Sequence, residues 1–214
     1  MVSASAGLVA SLFSTRLQEP QRHRPDADET RLPIFGASLL QVYATVFLLT
    51  AGFTALFTLH QPFALSRGVT ELRGFFIGFA IVALTVRLGG GRLIDRFGVL
   101  RSSIIAICLY ATVPPALGIL GPGRLFIIGS MMGMAHGIVY PAVTALGIQR
   151  ADASSRGMVV SIVHGAFNGG NAFFAYALGS AASVWGYSPT FWAAGAITLM
   201  GAFVLRPSRT SMVV

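Results

Sequence analysis

The stretch Gly89-Gly90-Gly91-Arg92-Leu93-Ile94-Asp95-Arg96-Phe97-Gly98-Val99-Leu100-Arg101 gathers glycine and charge between two long apolar runs. Charged residues make up only 10% of the chain, so their concentration here needs a cause. A short turn in water between two membrane helices provides one, because charge is expensive inside the hydrocarbon core. The stretch therefore predicts a membrane protein whose helices are joined here by a tight polar turn.

The composition outside this stretch also indicates a membrane protein. The chain has 214 residues, of which 54% are hydrophobic, and a mean hydropathy of +0.73, which is far from the average of soluble domains. The runs 32–66, 102–123, 125–149 and 157–205 contain no Asp, Glu, Lys or Arg. A helix needs about 20 apolar residues to cross the hydrocarbon core, so the first three runs each hold one span and the last holds two. With the run 74–91, which Arg87 interrupts, we expect an all-α membrane protein with a bundle of six transmembrane helices.

The predicted layout begins with a partial helix. Residues 1–17 are apolar at their start but too short to cross a ~30 Å core at 1.5 Å per residue, so they are interpreted as the end of a transmembrane helix. Residues 18–34 are a polar cytoplasmic linker, residues 35–206 are the six-helix membrane domain, and residues 207–214 are a cytoplasmic tail. The predicted spans lie near 35–60, 73–94, 101–120, 124–149, 156–180 and 187–206.

The distribution of arginine predicts the orientation. The formal net charge is +8 and the sequence contains no lysine. If each run crosses the membrane once, eleven arginines fall on one side, and only Arg67, Arg73 and Arg124 fall on the other. Because loops rich in Lys and Arg stay in the cytoplasm, the first group and the C-terminus are expected to be cytoplasmic.

The pattern Gly91-x-Leu93-x-Asp95-Arg96-x-Gly98, with Arg101 just beyond, resembles the cytoplasmic loop signature of the major facilitator superfamily of secondary transporters. The position of the motif between the second and third of six spans resembles the carboxy-terminal half of such a transporter, in the bacterial branch of drug and sugar exporters. The resemblance implies a protein of the bacterial inner membrane that exports a small organic molecule by alternating access. It also implies a second six-span bundle as partner, which would supply the amino-terminal half.

The resemblance assigns a role to the motif itself. Gly91, Asp95, Arg96, Gly98 and Arg101 are expected to form a conformational latch that is made when the transporter faces outward and broken when it faces inward. Gly98 is expected to take a backbone conformation that favours glycine. A simpler interpretation remains open, in which the motif is a tight turn whose charges only set the topology.

Six polar residues within the predicted spans are candidates for the path of a substrate or proton. They share helix faces, because His136 and Tyr140 are four residues apart and His164, Asn168 and Asn171 follow at intervals of four and three. The alternative for these five is hydrogen bonding between helices. The sixth, Arg87, either pairs with a substrate or with Asp95, or extends its guanidinium to the membrane surface.

Other function classes lack support in the sequence. Gly89-Gly90-Gly91 follows a predicted helix instead of a strand, and no phosphate-binding loop with lysine or His-Glu-x-x-His motif occurs, so we expect no enzyme, cofactor or metal. The arginines lie at the ends of apolar runs, which disfavours nucleic-acid binding. Two other hypotheses remain: a six-span homodimer that acts as a pore or carrier, and a membrane subunit or fragment that does not transport.

Overall fold

The computed structural model describes residues 34–205, except for the side chains of residues 90–95. The predicted partial helix at 1–17, almost all of the linker and the tail at 207–214 lie outside this range. The described chain is all-helical and contains six long helices. Their bounds are α1 Ala37–Ser66, α2 Arg73–Phe97, α3 Val99–Leu120, α4 Leu125–Gln149, α5 Arg156–Trp185 and α6 Tyr187–Val204.

These bounds follow the six predicted spans, with differences at the ends. Helix α1 continues six residues past its predicted end, and Ala55–Leu59 within it form a π-helical turn. Helix α5 extends to Trp185 instead of residue 180. In both cases the sequence beyond the predicted end is uncharged, so nothing in it stops a helix whose backbone must stay hydrogen-bonded in lipid.

The glycine-rich stretch forms a shorter turn than its composition predicts. The backbone stays helical through Phe97, helix α3 starts at Val99, and Gly98 alone joins the two helices. Gly98 has a φ of 80°, which confirms the expected need for glycine. The predicted spans 73–94 and 101–120 left residues 95–100 for this turn, whereas the helical backbone continues through Phe97, where it satisfies its own hydrogen bonds and Arg96 suits the negative end of the helix dipole.

Helices α2 and α4 run parallel and pack with their backbones in contact. Glycines at every fourth position of α4 face α2, as the spacing of Gly129, Gly133 and Gly137 predicts for close helix packing. A Cβ atom added at Gly133 would lie 2.5 Å from the carbonyl oxygen of Phe79, and one added at Gly137 would lie 3.3 Å from that of Ala83. These contacts confirm the predicted packing and define the register between the two helices.

Helix α3 packs against α4 and α6, and its two prolines lie inside it. A proline removes the backbone donor to the carbonyl four residues earlier, so Pro115 frees the carbonyl of Ala111. Gly195 of α6 covers this carbonyl, since a Cβ atom there would lie 2.7 Å from the Ala111 oxygen. A neighbouring helix thus covers the carbonyl that the proline frees.

Helix α1 lies between α5 and α6 and supplies much of the core. Large apolar side chains also cover the outer surface, as expected for a bundle surrounded by lipid. Examples are Leu84, Leu88, Ile105, Ile119 and Phe203, which are all more than half exposed.

Three helical segments of the described chain are long and apolar enough to cross a membrane by length and composition, namely Ala37–Ser66, Val99–Leu120 and Pro122–Gln149. The other helices include α2, which carries Arg87, and α5, which carries two asparagines and a histidine. Such residues lower the mean hydropathy of a helix even where they face protein or a water-filled path. The count of six spans stays a prediction.

Candidate functional site

Aromatic rings from four helices meet on one face of the bundle. Phe53 lies 5.1 Å from Phe167 between ring centroids, and Tyr140 lies 5.3 Å from the same Phe167 ring. Every ring of this group except His136 is partly exposed, so together they form a surface instead of a sealed core. We call this group the aromatic patch; its members are Phe53, Phe57, Phe79, His136, Tyr140 and Phe167.

His136 is the buried centre of the aromatic patch. Only 8% of the residue is exposed, and Phe53 and Phe79 lie 5.5 and 5.8 Å from it between centroids. Its Nδ1 atom is 3.4 Å from the hydroxyl of Tyr110 on α3, which is itself buried. His136 therefore has a hydrogen-bond partner between helices, which is the structural alternative that the sequence left open.

Tyr140 and His164 connect the aromatic patch to an exposed polar face of α5. Their ring centroids are 5.9 Å apart in an edge-to-face arrangement. The His164 Nδ1 atom is 2.9 Å from the carbonyl oxygen of Val160, and because a carbonyl only accepts, Nδ1 carries the proton and donates. In the neutral ring Nε2 is then an acceptor, and the His164 residue is exposed.

Asn168 lies one turn further along α5, on the same face as His164. Its side chain is exposed, and none of the described residues hydrogen-bonds to its amide. An unpaired amide facing hydrocarbon costs several kcal/mol, so this face is expected to meet water, ligand or protein.

Asn171, the third polar residue of this face, has a partner within the bundle. The hydroxyl of Thr54 on α1 donates to its Oδ1 atom at 2.6 Å. Thr54 immediately precedes the π-helical turn, so the bond fixes α5 beside the irregular part of α1. The structure thus separates the three polar residues of α5 into one that joins helices and two that stay exposed.

Arg87 lies on the α2 stripe that also contains Phe79 and Ala83, whose members are spaced four residues apart. Since Ala83 contacts Gly137, the parallel register places Arg87 one turn beyond that contact, at the level of Tyr140. The Arg87 side chain is exposed at this level. Arg87 therefore adds a positive charge to the edge of the aromatic patch.

The residues of the predicted latch lie apart from this face, where α2 ends and α3 begins. Arg96, Gly98 and Arg101 are exposed. The side chain of Asp95 and the surroundings of Gly91 lie outside the described part of the structure, so no contact of the latch is assigned.

A separate cavity of about 320 Å³ lies at the opposite end of α2. It is lined by Val69, Ile77 and Phe126 together with Glu71 and Arg73, and the last two form an exposed ion pair at 2.7 Å. Since the opposite charges of Glu71 and Arg73 already pair with each other, this shallow cavity offers no unpaired charge to a ligand.

Reasoning from sequence missed the aromatic half of the site. Phenylalanine is common throughout the chain, and single rings on apolar helices give no signal beyond core packing. Phe53 and Phe57 are four residues apart, as a shared helix face requires, and this spacing was the one available indication.

Comparison with known proteins identifies one family. A family model described as Major Facilitator Superfamily matches residues 42–212 of the chain. No curated protein and no solved structure matches it.

Proposed function

The chain belongs to the Major Facilitator Superfamily, and from this premise we propose that its six helices form the carboxy-terminal bundle of a transporter that exports a small organic molecule. Membership makes the protein a membrane-embedded secondary transporter and not an enzyme. The aromatic patch, with the exposed polar face of α5, is the part of the bundle that lines the substrate path. The observation that carries this assignment is Asn168, whose exposed amide suits a path for polar solutes and not lipid.

Export, the bacterial inner membrane and the cytoplasmic C-terminus belong to the same proposal. They are supported by the resemblance of the loop signature to exporters and by the eleven arginines on one side of the six spans. The latch role of Asp95, Arg96 and Arg101 rests on the resemblance alone.

A second six-helix bundle is proposed to pack against a face of α5 that lies beside the polar face of His164 and Asn168. Small residues follow one another along this face at intervals of four, at Gly157, Ser161, Gly165 and Gly169. The space where a Cβ atom would project from each of the three glycines is open to at least 4 Å. Small residues at this spacing let helices approach closely in a membrane, so the face suits another helix bundle. Alternating access then arises from rocking of the two bundles around a site between them.

Reconstitution tests the proposal without knowledge of the substrate. The purified chain is placed in liposomes with a defined mixture of small organic anions, cations and sugars, and solute movement is measured by mass spectrometry. Native mass spectrometry of the same preparation determines whether the chain is single or paired.

We expect solute movement only in preparations where the chain is paired with a second six-helix bundle. A second copy of the same chain counts as such a bundle. Movement catalysed by a single chain would refute the half-bundle assignment. A paired chain that moves no solute would refute the assignment as a transporter.

A further inference from the structure

The charge around the aromatic patch has one sign. Arg87 is exposed at the level of Tyr140, and the sequence places no Asp or Glu among the residues of α1, α3, α4, α5 or α6. The described carboxylates lie elsewhere: Glu71 pairs with Arg73 at the start of α2, and Asp152 lies in the turn after α4. Asp95 follows Arg87 by eight residues, about 12 Å along the helix axis.

The patch also has a defined shape. Phe53 and Phe57 stack with their planes 11° apart, whereas Phe167 presents its edge to Phe53 at 65°. Aromatic rings attract other flat rings in both of these arrangements. A planar ring system of the ligand can therefore lie against the partly exposed edges of Phe53, Phe167 and Tyr140.

Three side chains near the rings can form hydrogen bonds with a ligand. Arg87 only donates, the amide of Asn168 both donates and accepts, and His164 offers Nε2. A guanidinium has the fork geometry that matches a carboxylate or sulfonate in two parallel hydrogen bonds. Among the described residues, an organic cation meets the positive charge of Arg87 and no carboxylate beside it.

We propose that the molecule transported along this face is a planar aromatic anion, with its rings against Phe53, Tyr140 and Phe167 and its acidic group on Arg87. This inference rests on the proposed function, since it names the substrate class of the same site. It goes further by ranking aromatic anions above aromatic cations and above anions without an aromatic ring.

Binding to the full chain in lipid nanodiscs, measured by equilibrium dialysis at neutral pH, tests the substrate class. Three probes separate its elements: naphthoate is aromatic and anionic, naphthylmethylammonium is aromatic and cationic, and decalin carboxylate is anionic without an aromatic ring. We expect naphthoate to bind more tightly than either of the others.

Two variants test which residues contact the acidic group and the ring of the ligand. Arg87→Gln is expected to weaken naphthoate binding by about tenfold or more, because a charge-assisted hydrogen bond is lost, and to leave the cationic probe unchanged or tighter. Phe167→Leu is expected to weaken naphthoate but not decalin carboxylate. Arg124→Gln, at the opposite end of the bundle, is the matched control and should change neither.

Tighter binding of the cation, naphthoate binding that Arg87→Gln leaves unchanged, or no binding of any probe would each overturn the substrate class. The transporter assignment is judged separately, by solute movement in liposomes. Cation binding that Phe167→Leu removes would thus overturn this inference while leaving the proposed function in place.

Discussion

Single polar side chains in this bundle fall into two groups, according to whether the bundle satisfies them. Thr54 bonds to Asn171 and Tyr110 bonds to His136, so these four residues hold helices together. Asn168 has no such partner among the described residues and stays exposed. The distinction matters because residues of the first group are expected to affect stability, whereas residues left exposed are expected to affect binding.

The bond between Thr54 and Asn171 gives a prediction at this scale. In a double-mutant cycle with Thr54→Val and Asn171→Ala, the coupling free energy of unfolding in detergent should be about 0.6 kcal/mol and no more than about 1.7 kcal/mol, the mean and the maximum measured for hydrogen bonds between membrane helices. Thr58→Val is the control, because Thr58 is exposed one turn further along α1. Equal destabilisation by the control, or a coupling near zero, would show that the bond does not contribute.

Sequence and structure agree unevenly for these residues. The spacing of His164, Asn168 and Asn171 predicted a shared face, and the structure places them on one. Whether each side chain bonds within the bundle depends on neighbours that are distant in sequence: Thr54 is 117 residues from Asn171. No local pattern carries that information, so the sequence left both alternatives open.

At the scale of helices, the close contact of α2 with α4 depends on glycines, which place no side chain between the two backbones. The glycines of α4 let the two backbones approach so closely that no room is left for a Cβ atom between them. The sequence revealed this seam, because small residues four apart are a recognisable signal. It did not reveal the π-helical turn at Ala55–Leu59, whose residues are ordinary helix formers in a membrane.

Adding one methyl group to this seam gives the second prediction. Gly133→Ala would place a Cβ atom 2.5 Å from the Phe79 carbonyl oxygen and 3.0 Å from the Ala83 nitrogen. Both are backbone atoms, so the helices must separate, at an expected cost of about 1–3 kcal/mol in the free energy of unfolding. Gly179→Ala on α5 is the matched control, since a Cβ there meets open space and Gly179 is not part of the proposed contact with a second bundle. If the two variants were equally stable, the described approach of α2 and α4 would be incorrect.

Arg150 connects the end of α4 to the start of α1 and gives the third prediction. Its Nη1 atom donates to the carbonyl of Ser38 at 2.7 Å and to Oε1 of Gln41 at 3.3 Å. Burial lowers the pKa of Arg150 from its usual value, but a guanidinium stays charged in proteins, so the bonds offset the cost of partial desolvation. Arg150→Gln should therefore reduce the free energy of unfolding by about 1.5–3 kcal/mol, measured in detergent. Arg101→Gln, which alters an exposed arginine at the same end, should have little effect; a similar loss there would indicate a general effect of charge.

At the scale of the whole molecule, the order and bounds of the helices were accessible from sequence because hydrocarbon thickness sets their length. The turns were accessible where glycine marks them: Gly186, with a φ of 83°, joins α5 directly to α6 as Gly98 joins α2 to α3. The arrangement of helices was not accessible, since which helices enclose the aromatic patch depends on packing between distant segments. The proposed substrate path therefore depends on the fold, whereas the membrane character follows from composition.

The central claim is that this bundle crosses the membrane six times, with alternate turns on opposite sides. Cysteine labelling tests it most directly, in a Cys108→Ser background that removes the single native thiol. The variants Arg101→Cys and Ser154→Cys probe one side, and Gly123→Cys and Ser188→Cys probe the other, each at an exposed position. With a maleimide that does not cross membranes, we predict labelling of Gly123→Cys and Ser188→Cys in intact cells, and of Arg101→Cys and Ser154→Cys only after permeabilisation. Labelling of Gly123→Cys and Ser154→Cys from the same side would place both ends of α4 on one face of the membrane and contradict the account.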